Sequence, residues 1–403
     1  EWFWLECHKP QTTNNLKIKF FKKKDGKIRD SIPWNAKKIS DDTLLYYGFV
    51  RSKKADLMGG KWLTEPSSNP YEFEFDLRED KNVDKELKKS AMMSYLLFEN
   101  GKITVDKKSP EDRFGILLHE DAKLFASSMG KTIVSYVLGN AVCEGYIDGV
   151  NSKIDDWPLI KNTLYDGQKI IDVINMSAGD QEYINVTERV KKTGKTAGNY
   201  TIKYLMEDVF KNSTKKKQKW NYSGLPAPLI NNYIWFKSNG DYQKILDKTF
   251  KEKAKIKHSV QFRTKKYDKN YEDRIATYED GILDSHFWAT RYDYLRIAKA
   301  MLDDWQNDTC VGKYLKTVFN NRVNKNYQGN VDNNSNWFNP KQYAGFFHTG
   351  YTGMKDRAVM GMDGNGGQSI MIDFDRGRII VINAIFNNYN WKKIAHSVIK
   401  KGK

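Results

Sequence analysis

The chain has 403 residues, which is long enough for one large domain or two moderate ones. A hydrophobic fraction of 39% with 13% aromatic residues is typical of a packed core and excludes a disordered chain. The net charge of +17 comes from lysine runs without regular aromatic interleaving or a DNA- or RNA-binding motif, so no nucleic-acid partner is expected. No apolar run reaches the roughly 18 residues that a transmembrane helix needs.

The cysteines and histidines do not indicate a metal site. Cys7, Cys143 and Cys310 are widely spaced and odd in number, so they predict neither a disulfide framework nor a metal cluster. Cys143 falls in an apolar stretch, where we expect a small core residue. The histidines are scattered, and no metal or other cofactor is predicted. Because the first residue is Glu1 rather than methionine, we expect that a preceding segment, such as a signal peptide, has been removed.

Residues 1–90 are predicted to form a β-rich N-terminal extension. Short strands separated by turn residues are indicated at Leu16–Phe21, Leu44–Val50 and Tyr71–Leu77. The next two apolar runs, Ser94–Phe98 and Gly101–Val105, are joined by Glu99-Asn100 and predict a hairpin.

A Ser-x-x-Lys pair, Ser128 and Lys131, opens the apolar run Ile133–Val142, which predicts a buried helix. Residues three apart share a helix face, so the hydroxyl and the amine can meet. A lysine held in a dry pocket can lose its charge and take the proton of the serine. The helix start also offers backbone N–H groups that suit an oxyanion.

The same pattern occurs twice more without such a helix. Ser213–Lys216 lies in a run of lysines, and Ser397–Lys400 lies close to the C-terminus. A phosphate-binding loop ending at Gly130-Lys131-Thr132 is excluded, because Phe125 occupies the position that needs glycine.

The elements that follow predict an α+β fold. Ile170–Met176 and Phe287–Trp305 have helical patterns, and the polar residues 180–202 form a candidate substrate loop. Strands are predicted at the C-terminal end, at Ala358–Met362, Ser369–Asp373 and Ile379–Phe386. Helices flanked on both sides by strands indicate a helical lobe between the halves of an antiparallel sheet.

Two further segments are candidates for the site. Tyr222, in a predicted loop, could move protons if a lysine ammonium lies near its phenol. Gly364–Gln368 is glycine-rich and lies between two predicted strands, where the backbone can approach a ligand closely.

In combination, these motifs resemble those of the serine β-lactamase and penicillin-recognising superfamily, whose signature begins with Ser-x-x-Lys. The chain looks most like the esterase and amidase branch that includes the 6-aminohexanoate-dimer hydrolases. The resemblance runs from about Ser94 to Val398. It is carried by Ser128–Lys131, Glu144–Ile147, Asn175–Gly179, Tyr222-Ser223, Trp288–Asp293, Gly364–Gln368 and Ile370–Asp373.

The resemblance implies a β-lactamase-like domain over residues 91–403, with an antiparallel sheet flanked by helices and a helical lobe at roughly 130–285. It implies a serine hydrolase that cleaves an amide or ester bond of a small molecule through an acyl-enzyme. Ser128 is the nucleophile, Lys131 the base and Tyr222 the proton relay. The N–H groups of Ser128 and Asn365 form the oxyanion hole beside Gly366, and Tyr183 is a candidate substrate contact.

Two departures from the pattern leave alternatives open. Gly224 replaces the asparagine of the Tyr-x-Asn motif, which weakens the case for a β-lactamase or D,D-peptidase. His348-Thr349-Gly350 resembles the third, Lys-Thr-Gly motif by spelling, but the order of strands favours Gly364–Gln368, so His348 is expected to be structural or at the pocket rim. A non-catalytic binding protein on the same fold is a further alternative. The oligomeric state and the compartment of the bacterial cell, exported or cytoplasmic, stay open.

Overall fold

The computed structural model describes residues 62–184, 201–265, 276–325 and 339–401, together with the backbone of short strands between residues 2 and 51. The strands, in chain order, are β1 (Trp2–His8), β2 (Asn15–Lys24), β3 (Lys27–Ser40), β4 (Thr43–Tyr46), β5 (Val50–Arg51), β6 (Glu74–Phe75), β7 (Met92–Glu99), β8 (Lys102–Lys108), β9 (Lys123–Phe125), β10 (Lys153–Ile154), β11 (Gln168–Lys169), β12 (Gln261–Thr264), β13 (Leu283–Ala289), β14 (Val323–Asn324), β15 (Gln342–Ala344), β16 (Phe347–Thr349), β17 (Val359–Gly364), β18 (Gln368–Asp373) and β19 (Arg378–Ala384).

The helices connect and cover these strands. In chain order they are α1 (Lys81–Lys89), α2 (Gly130–Cys143), α3 (Ile170–Ile174), α4 (Gln181–Ile184), α5 (Ile202–Tyr204), α6 (Pro226–Lys237), α7 (Tyr242–Leu246), α8 (Arg291–Gln306), α9 (Cys310–Asn320) and α10 (Ser397–Lys401). Wider, π-type turns extend α5 over Leu205–Val209 and α7 over Asp247–Lys253, and a third, Lys392–His396, precedes α10. Within the described residues, no helix is long and apolar enough to cross a bilayer.

The main sheet has the strand order β14-β15-β16-β17-β18-β19-β7-β8-β6. Its strand pairs are antiparallel except that β6 runs parallel to β8. Strands from both ends of the chain therefore meet at its centre, where Val381 of β19 pairs with Leu96 of β7. Helices between these strands in sequence form the expected lobe, and the predicted α+β, β-lactamase-like fold class is confirmed.

Alternating side chains of β7 fill the core on both faces of the main sheet, as the two-residue period of a strand requires. Leu96 and Phe98 belong to the large cluster that also contains the apolar residues of α2. Tyr95 and Leu97 belong to a second cluster with Trp391 and the residues around α1 and α10. Helices on both faces explain why every residue of β7 is buried.

A second sheet carries the N-terminal strands, in the order β1-β2-β3-β4-β5-β9-β13-β12. Strand β2 contains the whole predicted strand Leu16–Phe21. Strand β4 covers only the first three residues of the predicted Leu44–Val50, and β6 forms a short piece of Tyr71–Leu77. Val50 of β5 pairs with Leu124 of β9, directly before the Ser-x-x-Lys segment. The N-terminal strands are thus continuous in backbone pairing with the strand that leads into α2.

Turn and capping residues account for most of the differences from the predicted element boundaries. The β7–β8 hairpin turns at Asn100 and Gly101, which both have positive φ, rather than at Glu99-Asn100. Both positive values are what a two-residue hairpin turn demands. The predicted helix Phe287–Trp305 begins only at Arg291, because the Thr290 side chain accepts a hydrogen bond from the N–H of Asp293 and caps it.

One expectation about the cysteines is wrong. Cys143, at the end of α2, forms a disulfide with Cys310, at the start of α9, across 167 residues of sequence. Their Cα atoms are 5.8 Å apart, within the range of a normal disulfide. Wide spacing in sequence concealed the pair, since only the packing of α9 against α2 brings these helix ends together.

Candidate active site

Ser128 and Lys131 lie at the junction between β9 and α2. The chain leaves β9, makes a single 3₁₀ turn over Ser127–Met129, and enters α2 at Gly130. The Lys131 Nζ atom donates a hydrogen bond to Ser128 Oγ at 2.7 Å. Lys131 is 5% exposed, whereas Ser128 is half-buried.

The two other Ser-x-x-Lys matches lack this arrangement. The Ser213 hydroxyl accepts a hydrogen bond from the backbone N–H of Leu164, and Lys216 is exposed. Ser397 opens the short helix α10, and Lys400 is exposed as well. A buried lysine in contact with the serine therefore distinguishes Ser128 from both.

Two glycines allow other backbone segments to approach the 3₁₀ turn Ser127–Met129, called the serine turn below. A Cβ atom on Gly130 would lie 2.0 Å from the carbonyl oxygen of Ser285 on β13. A Cβ atom on Gly364, at the end of β17, would lie 2.3 Å from the carbonyl oxygen of Ala126. Both distances are far below van der Waals contact, so any larger residue would displace backbone. The serine turn is thus held between β13 and the turn that follows β17.

Tyr222 lies against the same lysine. Its segment is fixed by a hydrogen bond from the N–H of Asn221 to the carbonyl oxygen of Met176 at 2.8 Å. The Lys131 Nζ atom is 5.0 Å from the centroid of the half-buried Tyr222 ring. The structure thus brings Ser128, Lys131 and Tyr222, three of the residues predicted for the site, into one group.

His348 is buried beside Tyr222 rather than at a rim. It lies on β16 and is 2% exposed. Its ring is 6.3 Å, centroid to centroid, from that of Tyr222, and the two planes are inclined by 22°. Burial, followed by the positive charges of Lys325 and Lys131, holds the pKa of His348 well below its ordinary value. His348 is therefore a neutral imidazole at neutral pH.

Lys325 is a residue of this group that the sequence analysis missed. It directly follows β14, and its Nζ atom is 2.7 Å from His348 Nδ1. Burial lowers the pKa of Lys325 to about 7, while the negative charge of Asp363 opposes that shift. Nothing in the sequence around Val323-Asn324-Lys325 distinguishes it from the other lysines of this chain.

The two candidates for the third motif lie on neighbouring strands. His348 of β16 pairs with Gly361 of β17, and the turn containing Asn365 and Gly366 follows β17. Asn365 is exposed, and its side-chain oxygen accepts a hydrogen bond from the N–H of Gly366. The two segments have different neighbours, since His348 faces Tyr222 whereas Gly364 contacts the backbone directly before Ser127.

The predicted substrate contact, Tyr183, lies on α4. Its ring packs against Phe210 with the centroids 5.5 Å apart. Residues 185–200 of the candidate substrate loop lie outside the described part of the chain. A substrate contact of Tyr183 stays a prediction.

Asp180, which directly precedes the helix α4 that carries Tyr183, is a buried ionisable group. Its carboxylate accepts a hydrogen bond of 2.5 Å from the hydroxyl of Tyr165. Burial raises the pKa of Asp180 to about 6, although this hydrogen bond opposes the shift.

The comparison with known proteins bears on the fold. Neither a family model nor a curated protein matches the sequence. Among solved structures, the chain is similar to a Bacillus anthracis protein named as a 6-aminohexanoate-dimer hydrolase, with a TM-score of 0.56 at 11% identity over 84% of this chain and 90% of that one. A Bacteroides dorei protein named as a β-lactamase gives 0.55 at 13% identity over 79% and 95%.

A D-stereospecific amidohydrolase from Streptomyces gives a TM-score of 0.53 at 12% identity over 81% of this chain and 100% of that one. Identities this low carry information about architecture and not about activity. The three similar structures share the architecture that the strand order and the helical lobe of this chain have. The chain therefore has the fold of the serine β-lactamase and penicillin-recognising superfamily.

Proposed function

We propose that this protein is a serine hydrolase that cleaves an amide or ester bond of a small substrate through an acyl-enzyme on Ser128. The observation that carries the proposal is the 2.7 Å hydrogen bond between Nζ of the buried Lys131 and Oγ of the half-buried Ser128. A nucleophile in contact with a potential base is the minimum arrangement for covalent acyl transfer. The named activities of the similar structures agree with this reaction class.

In the proposed reaction, Ser128 Oγ forms a bond to the substrate carbonyl carbon while its proton passes to Lys131 Nζ. The N–H groups of Ser128 and Asn365 are assigned to the oxyanion, each worth about 3 kcal/mol in comparable sites. Tyr222, which lies against Lys131, passes a proton to the leaving amine or alcohol as the substrate C–N or C–O bond breaks. Water then attacks the ester formed on Ser128, gives up a proton to the same groups, and releases the acid.

A small-molecule fluorophosphonate probe tests the nucleophile directly. We expect one label per chain, mapped by mass spectrometry to Ser128, and no label in Ser128→Ala. Ser213→Ala and Ser397→Ala are matched controls and should label normally, because their lysines are exposed. Labelling that persists in Ser128→Ala, or the absence of label in the folded wild-type chain, would contradict the proposal and favour a binding protein on this fold.

A panel of short-chain p-nitrophenyl esters, linear amides and a chromogenic cephalosporin then separates the substrate classes. We expect turnover of esters or amides and little of the cephalosporin. Gly224 is exposed, and a Cβ atom there would have no neighbour within 4 Å. The space in which an asparagine of the Tyr-x-Asn motif would hold a β-lactam side chain is therefore open. Efficient cephalosporin turnover would instead support a β-lactamase.

A further inference from the structure

Lys325 is half-buried, and its side chain lies among aromatic rings that also surround the candidate site. Its backbone N–H donates to the carbonyl oxygen of Lys341, which fixes the end of β14 at the sheet edge. Its Nζ atom is 5.4 Å from the ring centroid of Trp220 and 6.0 Å from that of Tyr343. Trp220 comes two residues before Tyr222, so this lysine reaches the site from the side of the proposed proton relay.

The contact of Lys325 with His348 determines where the imidazole proton lies. A lysine ammonium can only donate hydrogen bonds, so His348 Nδ1, 2.7 Å away, must accept. A neutral imidazole that accepts at Nδ1 carries its proton on Nε2. Burial lowers the pKa of His348 and keeps its ring neutral, and Lys325 therefore selects one of its two tautomers.

The His348 ring connects this lysine to the proposed catalytic group. Its Nδ1 atom receives the Lys325 hydrogen bond, and its ring packs against the ring of Tyr222. Tyr222 lies in turn against Lys131, which donates to Ser128. A continuous set of contacts thus runs from Lys325 to the proposed nucleophile.

We propose that Lys325 is a positioning residue for the hydrolase reaction, which holds the Nε2–H tautomer of His348 and thereby orients Tyr222. This inference rests on the proposed function of Ser128. The effect of Lys325 passes through the imidazole ring that it contacts. No chemical step is assigned to Lys325 itself.

The proposal implies a pH dependence with a definite sign. Below about pH 7 Lys325 is an ammonium ion and fixes the tautomer, whereas above it Lys325 is a neutral amine that can also accept a proton from Nδ1. Among the described residues, the charged or titratable groups that face the Lys325–His348 pair are Lys131 on α2, Tyr222 before α6, Lys341 before β15, Tyr343 on β15 and Asp363 on β17. The positioning effect is therefore present at lower pH and is lost as the pH rises through about 7.

The test compares fluorophosphonate labelling rates of the wild type, Lys325→Met and Lys325→Arg across the pH range. Methionine keeps much of the apolar volume without the donor. We expect the wild type to label Ser128 at least ~10-fold faster than Lys325→Met at about pH 6, and the ratio to approach ~1 at about pH 8.5. Arginine keeps a donor at every pH, so the ratio of Lys325→Arg to Lys325→Met should stay the same between these values, whereas the ratio of wild type to Lys325→Arg should fall roughly 10-fold.

Lys299→Met is the matched control. Lys299 is also partly buried over an aromatic ring, 4.3 Å from the Tyr71 centroid, and pairs with Asp303. Its replacement should leave the labelling rate and its pH profile unchanged. A ratio of wild type to Lys325→Met that is the same at every pH would show that Lys325 has only a structural role, and would overturn the inference.

A second measurement does not depend on activity. The ¹⁵N shifts of the imidazole nitrogens of His348, assigned with a His348→Gln variant, report the tautomer directly. We expect Nε2–H in the wild type at about pH 6 and a mixture in Lys325→Met. An Nδ1–H tautomer in the wild type at that pH would refute the inference. Absence of any Ser128 label in the wild type would instead refute the proposed function, and with it the catalytic consequence of this tautomer.

Discussion

Lys131 combines two properties that exposed lysines lack, namely burial and a hydrogen bond to a serine hydroxyl. Lys131→Ala should lower the fluorophosphonate labelling rate of Ser128 by roughly 10²–10⁴-fold, the usual contribution of a general base. Lys131→Arg should not restore it, because a guanidinium keeps its proton in proteins and cannot accept another. Circular dichroism and melting temperature check that the variants fold, and an arginine variant as active as wild type would show that Lys131 is only structural.

The sequence predicted the place of a side chain in the candidate site when that side chain belonged to a short local pattern. Ser128 lies in the 3₁₀ turn that leads into α2 and Lys131 in the first turn of α2, so their three-residue spacing allowed their proximity to be predicted without knowledge of the fold. Lys325 could not be predicted, because its position depends on the pairing of β14 with β15 and of β15 with β16. His348 was expected to be structural or at the rim, but its neighbours Tyr222 and Lys325 come from distant parts of the chain.

At the element scale, the serine turn depends on the turn after β17, where Gly364 allows close backbone contact. Gly364→Ala should push this turn away from the backbone before Ser127, because a Cβ atom would lie 2.3 Å from the Ala126 carbonyl oxygen. Displacement by about 1 Å can cost about 100-fold in rate, so we expect a loss of Ser128 labelling of that order. The measurement is made well below the melting temperature of the variant.

Gly139→Ala is the control for this prediction, since it introduces a comparable clash in α2 away from the serine. A Cβ atom at Gly139 would lie 2.6 Å from the ring of Tyr314. We expect Gly139→Ala to lower the melting temperature while the folded protein still labels at Ser128. Equal loss of labelling in both variants would mean that general destabilisation, and not the position of the turn, controls reactivity.

The sequence predicted a helix or strand best where the spacing of its apolar residues kept a single period throughout. The predicted strands at Ala358–Met362 and Ser369–Asp373 correspond closely to β17 and β18. Predicted boundaries were wrong where a capping residue determined them. At Thr290 the side chain caps the helix that follows, so the apolar residues before it lie outside the helix. Helix α1 was missed because its signal is a cap, with Asp80 accepting from two backbone N–H groups, in an otherwise polar segment.

At the scale of the whole molecule, buried ionisable groups make stability depend on pH. The pKa of Asp180 is raised to about 6, above the ordinary value of 3.8, so the folded state binds its proton more tightly than the unfolded chain. Stability from this group is therefore highest below about pH 4 and falls as the pH rises through about 6.

Asp180→Asn removes this titration and keeps a group that can accept the hydrogen bond from Tyr165. We expect the stability of the variant relative to the wild type to increase between about pH 4 and pH 7, by up to about 3 kcal/mol, and then to level off. Urea unfolding at several pH values measures it. A difference that does not change with pH would mean that the carboxyl group has no raised pKa.

The Cys143–Cys310 bond encloses residues 144–309 in one covalent loop. Tyr222 lies inside that loop, while Ser128 and Lys131 lie on the N-terminal side of it and His348 on the C-terminal side. A single proteolytic cut anywhere within the enclosed residues would therefore leave both fragments covalently joined under oxidising conditions. The nicked protein would keep the mass of the intact chain, apart from one added water, and would separate into two pieces only after a thiol reductant cleaves this bond.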